Sequence, residues 1–301
     1  MKTQTADFDV VLGFDMETDV GSFTSNYEGV KKGTPALLKT LRRHKANSTF
    51  FWTGHAAENN PEMVRKVAAE GHETGCHGMY HETLGDPIFP LPNNWPVLPS
   101  EVAGRIRLAT QIVGKIAGKR PVSFRCPRLW GSTRVVQELE KLGYIADASL
   151  PLYYYRTMFV PYHPSAKDWT KPGRMRILEL PNFCDLTMES KDPLYNRDRD
   201  QWPLFRTKSA KALLVKVDSF IDYVKSHGKR PVLVFYFHPW EFYPMPQGAI
   251  DFGEASVRPL PFIVKNCGPR ALEEFDKLCL GLRQRGGRFV TAGGLALKTA
   301  F

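Results

Sequence analysis

Apolar and polar positions along this chain switch between two periods. "FDVVLGFD" (8–15) is a nearly continuous apolar run closed by an acid, the pattern of a buried strand. "TPALLKTLRRHK" (34–45) places apolar residues at helical spacing, with Thr34 as the predicted cap and Pro35 in the first turn. "NSTFFWTG" (47–54) predicts a second strand. "NPEMVRKVAAEG" (60–71) predicts a helix capped by Asn60, opened by Pro61 and closed by Gly71. "HETGCHG" then reads as a short third strand running into a loop. Strand and helix in alternation are the signature of a parallel α/β sheet or barrel.

The pattern breaks in the middle of the chain and then resumes. "DPIFPLPNNWPVLPS" (86–100) is too rich in proline for a regular element and reads as a long loop. Helices are predicted over 100–118, with Ser100 as cap, and over 132–143, and strands over 121–127 and 144–149. Residues 151–206 are aromatic, basic and irregular, an excursion covering one side of a site. An amphipathic helix over 211–228 precedes the most hydrophobic strand, "PVLVFYFHPWEF" (231–242). A loop, a helix in "GPRALEEFDKLCLGLRQRG" and a final strand in "GRFVTAGGLA" complete the chain. No repeat or linker interrupts it. One domain over 1–301 is the simplest organisation, with loop insertions at about 84–100 and 151–206.

Composition narrows the function classes. The net charge is +10, but Lys and Arg are dispersed, and the longest basic runs are Lys31-Lys32 and Arg42-Arg43. Such dispersal predicts a solvated basic surface and no nucleic-acid partner. No apolar run reaches the ~18 residues that span a bilayer, so no membrane partner is expected. The N-terminus has no leader pattern, which predicts a cytoplasmic protein. The five cysteines, at 76, 126, 184, 267 and 279, form no CxxC and are expected to be reduced. Loops rich in Trp, Tyr and Pro are compatible with a homo-oligomer.

Ligands of parallel α/β folds bind beyond the carboxyl ends of the strands. Asp15, His77, Arg125, Asp147 and His238 all fall at such ends. "GFDMETD" offers Asp15, Glu17 and Asp19 at alternating positions, with Asp19 expected outside any site. Clustered carboxylates need a cation, hydrogen bonds or solvent to stay charged. "TGCHGMYHETLG" holds His77 and His81 four residues apart, a spacing that lets two imidazoles face one metal ion. Histidines 44, 55, 72, 163 and 227 are assigned to capping, surface or supporting roles. Trp130 and Trp240 follow directly after motif segments and are expected to line a substrate pocket, with Glu241 touching a polar substrate group.

The run "STFFWTGHAAENNPEMVRKVAAEGHETGCHGMYHE" resembles the polysaccharide deacetylase family, or NodB homology domain. "FDMETD" stands at the family's acid pair, "FRCPRLWG" at its R-x-P-x-x, "YIADAS" at its D-x-S strand end and "VFYFHP" at its last catalytic histidine. The resemblance implies a distorted (β/α) barrel holding one divalent metal, zinc first, with cobalt, manganese or iron as alternatives. It makes His77 and His81 ligands, Asp15 the general base, Arg125 the partner that orients that base, and His238 the general acid. Asp147 would lock the His238 tautomer or position Arg125. The family's adjacent aspartates are replaced here by D-x-E, so either Glu17 or Asp15 could supply the acidic ligand.

The resemblance implies a hydrolase of a non-peptide C–N bond, most simply an N-deacetylase of an acetylated sugar or related amide. An allantoinase-like or cyclic-imide hydrolase on the same fold is the alternative, and a non-catalytic carbohydrate-binding relative a third. Either enzyme would take a small-molecule or oligosaccharide amide.

Overall fold

The computed structural model describes residues 6–91, 94–156 and 158–299. Positions 92–93 of the proline-rich loop, 157 of the aromatic excursion, and the ends at 1–5 and 300–301 lie outside the described residues.

The sheet is organised around its first strand, β1 (Phe8–Met16), which is buried at all nine positions. It is buried because neighbours occupy both of its edges. β7 (Val232–Phe237) runs along one edge, and β10 (Gly287–Phe289) and β2 (Thr49–Trp52) follow one another along the other. From β2 the sheet continues through β3 (Glu73–Cys76), β4 (Ser123–Phe124), β5 (Ala146–Asp147) and β6 (Leu178–Glu179), every pair parallel. The Phe183 N–H donates to the Val234 carbonyl at 2.8 Å, which draws the segment after β6 against β7 and curls the sheet toward closure. This is the expected distorted (β/α) barrel. A separate antiparallel hairpin joins β8 (Ile250–Asp251) to β9 (Ser256–Val257).

Aromatic packing locks β1 to its neighbours and to the helices outside. Phe14 stacks on Phe50 at 4.9 Å and on Phe237 at 5.7 Å, with Phe275 of the helix Pro269–Gln284 edge-on. Each such fully buried ring contributes roughly 1.5–3 kcal/mol of transfer free energy.

Most predicted helices form within a few residues of their expected bounds, but several caps differ. Thr34 is already helical behind a short π turn, Gly29–Gly33, and its hydroxyl donates to the Gly29 carbonyl. Asn60 occupies the cap position, yet its side chain donates back to Ala56. Ser100 gives way to Glu101 at the start of the helix Val102–Ala117. Ser132 and Ser209 cap by accepting from Val135 and Ala212. The final "GRFVTAGGLA" is a strand only to Phe289, then a helix Ala292–Thr299. Thr291 explains the switch, because its hydroxyl accepts the Gly294 N–H and starts a helix where β-branched residues end. The cysteines are unpaired, and no described helix is long and apolar enough to cross a membrane.

Candidate metal and acid–base site

The carboxyl ends of β1 and β3 bring one carboxylate and two imidazoles together. Glu17 follows β1 directly, and His77 and His81 follow β3. One ligand atom from each lies within 4.8 Å of the other two, and all three residues are buried. His81 Nε2 is 2.6 Å and His77 Nε2 3.7 Å from Glu17 Oε2. The His77 ring is oriented from behind, since Nδ1 bonds the Arg125 carbonyl at 2.7 Å. That bond requires the proton on Nδ1 and leaves Nε2 a bare lone pair. Nε2 is buried with no hydrogen-bond partner, as are Glu17 Oε1 and His81 Nδ1. Buried lone pairs without a partner are costly unless a cation satisfies them, so the residues present fit a divalent metal.

The electrostatics agree with that donor set. Burial pushes His81 down to about 4, against the pull of Glu17, so its imidazole is neutral near pH 7. Burial works to raise the Glu17 carboxyl, but the attraction of the histidines around it, His81 first, outweighs it and holds Glu17 well below its usual range. A carboxylate and neutral imidazoles are the forms that bind a metal.

Asp15 sits beside this cluster in the grip of Arg125. Arg125 is fully buried and donates to Asp15 Oδ1 at 2.9 Å, the Ala148 carbonyl at 3.1 Å, Asn182 Oδ1 at 3.2 Å and the Phe235 carbonyl at 3.3 Å. Its guanidinium also lies 4.4 Å from the Phe51 ring centroid. Gly13 makes room for it, because a Cβ there would lie 2.3 Å from Arg125 Nη1. Asp15 Oδ2 is 4.0 Å from His77 Nε2. Asp19 lies apart, as expected, accepting the N–H groups of Glu28 and Gly29.

His238 approaches from the end of β7, with Nε2 3.8 Å from Glu17 Oε1. Glu241 holds it, accepting from His238 Nδ1 at 3.2 Å and from its backbone N–H at 2.9 Å. Burial opposes the imidazolium, but the hydrogen bond it donates to Glu241 and the charges of Glu17, Glu241 and Asp15 outweigh it and raise the His238 pKa. Glu241 also accepts from Trp202 Nε1 at 2.8 Å and Arg206 Nε at 2.6 Å. Arg206 is fully buried, with further bonds to the carbonyls of Phe262, Ile263 and Lys265.

Four expectations are corrected by this geometry. Glu241 is fully buried with both oxygens engaged, so it supports His238 and does not face a substrate. Trp240 is fully buried and stacks on the His238 ring at 5.0 Å, so it is packing behind the histidine and not a pocket wall. Trp130 is equally buried, under Phe89 and Arg128. Asp147 touches neither His238 nor the Arg125 guanidinium. It accepts from Ser149 at 2.5 Å and pairs with Glu179, its register partner on β6, and burial raises both carboxyls. Asn182, Trp202 and Arg206 went unseen in the irregular excursion. A lone arginine amid the apolar residues of "WPLFRT" was the one signal that a buried carboxylate needed a partner.

Backbone strain gathers around the same loops. Of nine non-glycine residues at positive φ among the described residues, five lie in or beside this site: Val20, Ser22, His81, Arg128 and Leu129. Such strain persists where surrounding structure enforces it, and it clusters at functional sites.

Comparisons with known proteins place the chain among similar molecules. The family model for polysaccharide deacetylase matches residues 2–146. A peptidoglycan-N-acetylglucosamine deacetylase of Bacillus cereus is 28% identical over 140 residues, covering 46% of this chain and 55% of that protein. The chain spans about half the length of the curated relatives it matches. Among solved structures, a Mycobacterium smegmatis protein assigned to the polysaccharide deacetylases superposes with a TM-score of 0.64 at 17% identity, over 99% of this chain and 92% of the other. Puue allantoinase superposes equally, with a TM-score of 0.64 at 14% identity, over 97% and 90%.

Proposed function

From its match to the polysaccharide deacetylase family over residues 2–146 and the fold it shares with solved relatives, we propose that the chain is a metal-dependent hydrolase of a non-peptide C–N bond. Its simplest substrate is an N-acetylated sugar or a related amide. The observation that carries the reading is the bare, buried Nε2 of His77, aimed at Glu17 and fixed by the Arg125 carbonyl.

Glu17, His77 and His81 would hold the ion. One carboxylate and two imidazoles suit zinc first, and cobalt, manganese or iron as well. When bound, the ion supplies Lewis acidity that polarises the amide carbonyl and acidifies water. Asp15, freed from the ligand role by Glu17, takes the proton of the attacking water, and Arg125 keeps its carboxylate pointed at the site. His238 stands beyond Glu17 and delivers a proton to the departing nitrogen, with Glu241 keeping the Nδ1 proton in place so that Nε2 faces the reaction. The products are an amine and a carboxylate, with water the only other reactant.

Metal content measured by mass spectrometry on protein purified without a histidine tag tests the reading. About one ion per chain, lost in His77→Ala and in Glu17→Ala, is the expected result. Protein that stays metal-free after incubation with zinc, cobalt and manganese would end it. The allantoinase-like reading is the alternative on the same fold, which Puue allantoinase shares. Assaying an N-acetylated chitooligosaccharide beside a cyclic ureide separates the two.

A further inference from the structure

We infer that the face of the barrel opposite the metal ligands binds a small phosphorylated molecule. A cleft of about 350 Å³ opens there, at the amino ends of β1, β7 and β10. Strands rise ~3.3 Å per residue, so the step from Asp9 to Asp15 along β1 puts this cleft roughly 20 Å from the ligand side. It lies outside the chemistry of the hydrolase reading and stands without it.

A buried carboxylate arranges the cations of the cleft. Asp9 is 4% exposed and receives two arginines, Arg288 through Nε at 2.7 Å and Arg230 through Nη2 at 3.3 Å. Arg230 is fixed further, since Nη1 donates to the Ala6 carbonyl at 2.7 Å and to the Asp7 carbonyl at 3.3 Å. Arg288 engages only Nε, so both of its terminal nitrogens keep free donors among the described residues. Lys229, between the helix Ala210–Ser226 and β7, and Lys298, in the last turn of the helix Ala292–Thr299, also line the cleft. Neither ammonium has an ion-pair or hydrogen-bond partner among the described residues. Guanidinium groups held in place by such bonds lose little freedom when they meet a ligand.

Charge does not balance there. Four cations line the cleft with one carboxylate, Asp9, which leaves three positive charges unmatched. Like charges gathered in one concavity repel, and an anion that enters relieves them. A monocarboxylate answers only one of the three. A phosphate monoester brings a charge of about −2 near pH 8 and three acceptor oxygens, which suit donors arriving from separate segments. The remaining wall is apolar, formed by Val160, Pro161, Val232 and Leu295. A compact hydrocarbon body on the phosphate gains by covering it. The volume stands at the small end of the ~300–1,000 Å³ range of organic-ligand sites, which suits one compact molecule.

The test is calorimetric titration at pH 8 and constant ionic strength. Phenyl phosphate is the probe, and benzoate the control with the same apolar body and a single charge. Wild type should bind one phenyl phosphate per chain, at least about tenfold more tightly than benzoate. Lys229→Gln combined with Lys298→Gln removes two ammonium groups that hold nothing else in place. The fold should survive, and affinity for phenyl phosphate should fall about tenfold or more. Arg65→Gln combined with Lys66→Gln removes the same charge from the exposed side of the helix Pro61–Ala69 and should leave affinity within about twofold. His77→Ala, which takes a ligand from the proposed metal site, should bind the probe as wild type does. Loss of binding in His77→Ala would place the probe on the metal and overturn the inference. So would no binding in wild type, equal affinity for benzoate, undiminished affinity in the Lys229 and Lys298 variant, or an equal loss in the Arg65 and Lys66 variant. Protein that takes up no metal yet binds the probe defeats the hydrolase reading alone and leaves the cleft standing.

Discussion

The ligand side of the site comes from neighbouring strands, whereas the His238 side is gathered from segments far apart in the chain. Glu17, His77 and His81 follow β1 and β3, strands separated only by β2, and Arg125 arrives from β4 beside them. Parallel pairing fixes these strand ends side by side, so short motifs suffice to assemble the chemistry. His238, by contrast, depends on Glu241 three residues on, on Trp202 and Arg206 from the excursion, and on carbonyls at 262–265. The first side is held by the sheet. The second is held by one buried ion pair and its hydrogen bonds, and a buried pair is strong only while every partner remains.

If that contrast is right, damage to each side should read out differently. His77→Ala removes a ligand from the sheet-held side. It should abolish metal retention and lower amide hydrolysis at least about a thousandfold, while the fold survives. Metal analysis and circular dichroism on one preparation check both, and a variant that keeps its ion would break the contrast at its base.

Gly13→Ala probes how rigid the ligand side is. The new Cβ would lie 2.3 Å from Arg125 Nη1 and 2.6 Å from Nη2. The guanidinium, packed between Phe51 and β1, must shift off Asp15. We expect about a hundredfold loss of kcat, since a displacement of an ångström at a catalytic group has that effect. Overpacking should cost about 1–3 kcal/mol in chemical denaturation. Metal content should stay near one, because none of the three ligands is touched. Full activity would mean that Arg125 does not hold Asp15 in its working position.

Glu241→Gln attacks the other side. Arg206 and His238 both lose a charged acceptor. Breaking a buried pair on one partner costs about 3–5 kcal/mol, readable as a lower denaturation midpoint. Hydrolysis should fall by about tenfold or more as the His238 ring loses its anchor. Metal should still bind stoichiometrically. Loss of the ion in this variant would show that the two sides are one network after all.

The same contrast explains what the sequence made legible. The barrel follows from alternating strand and helix patterns, and the ligand side from motifs a few residues long, so Asp15, Glu17, His77, His81 and Arg125 could be named in advance. The His238 side could not be assembled that way. Asn182, Trp202 and Arg206 lie in a stretch without periodicity, and nothing local says which carboxylate they meet. Trp240 and Glu241 were visible but given substrate contacts, because adjacency to a motif does not show which way a side chain faces. Of the two acids in D-x-E, Asp15 is taken by Arg125 and Glu17 faces the histidines, which is why the proposed ligand set includes Glu17.

Asp147 sharpens this last lesson with the smallest expected effect. It stands at a strand end, as catalytic acids do, yet it is buried against Glu179 and bonded to Ser149. Burial raises its carboxyl from the usual 3.8 to about 6, and Glu179 is pushed up as well. The folded state therefore grips a proton that the unfolded chain releases. Below about pH 4 both states are protonated and the group is neutral to stability. As pH rises from about 4 to about 6 the unfolded state ionises first, so stability falls, by up to about 3 kcal/mol from this group. Above that window the penalty is constant. Asp147→Asn should remove the slope, and relief of Glu179 acts in the same direction. Asp19 and Asp200, also raised to about 6, contribute equally to both proteins and cancel in the difference. Urea unfolding of wild type and Asp147→Asn at intervals from pH 4 to 7 gives that difference curve. A difference that rises with pH marks Asp147 as a carboxyl buried for architecture, and a flat one would return it to the candidates for chemistry.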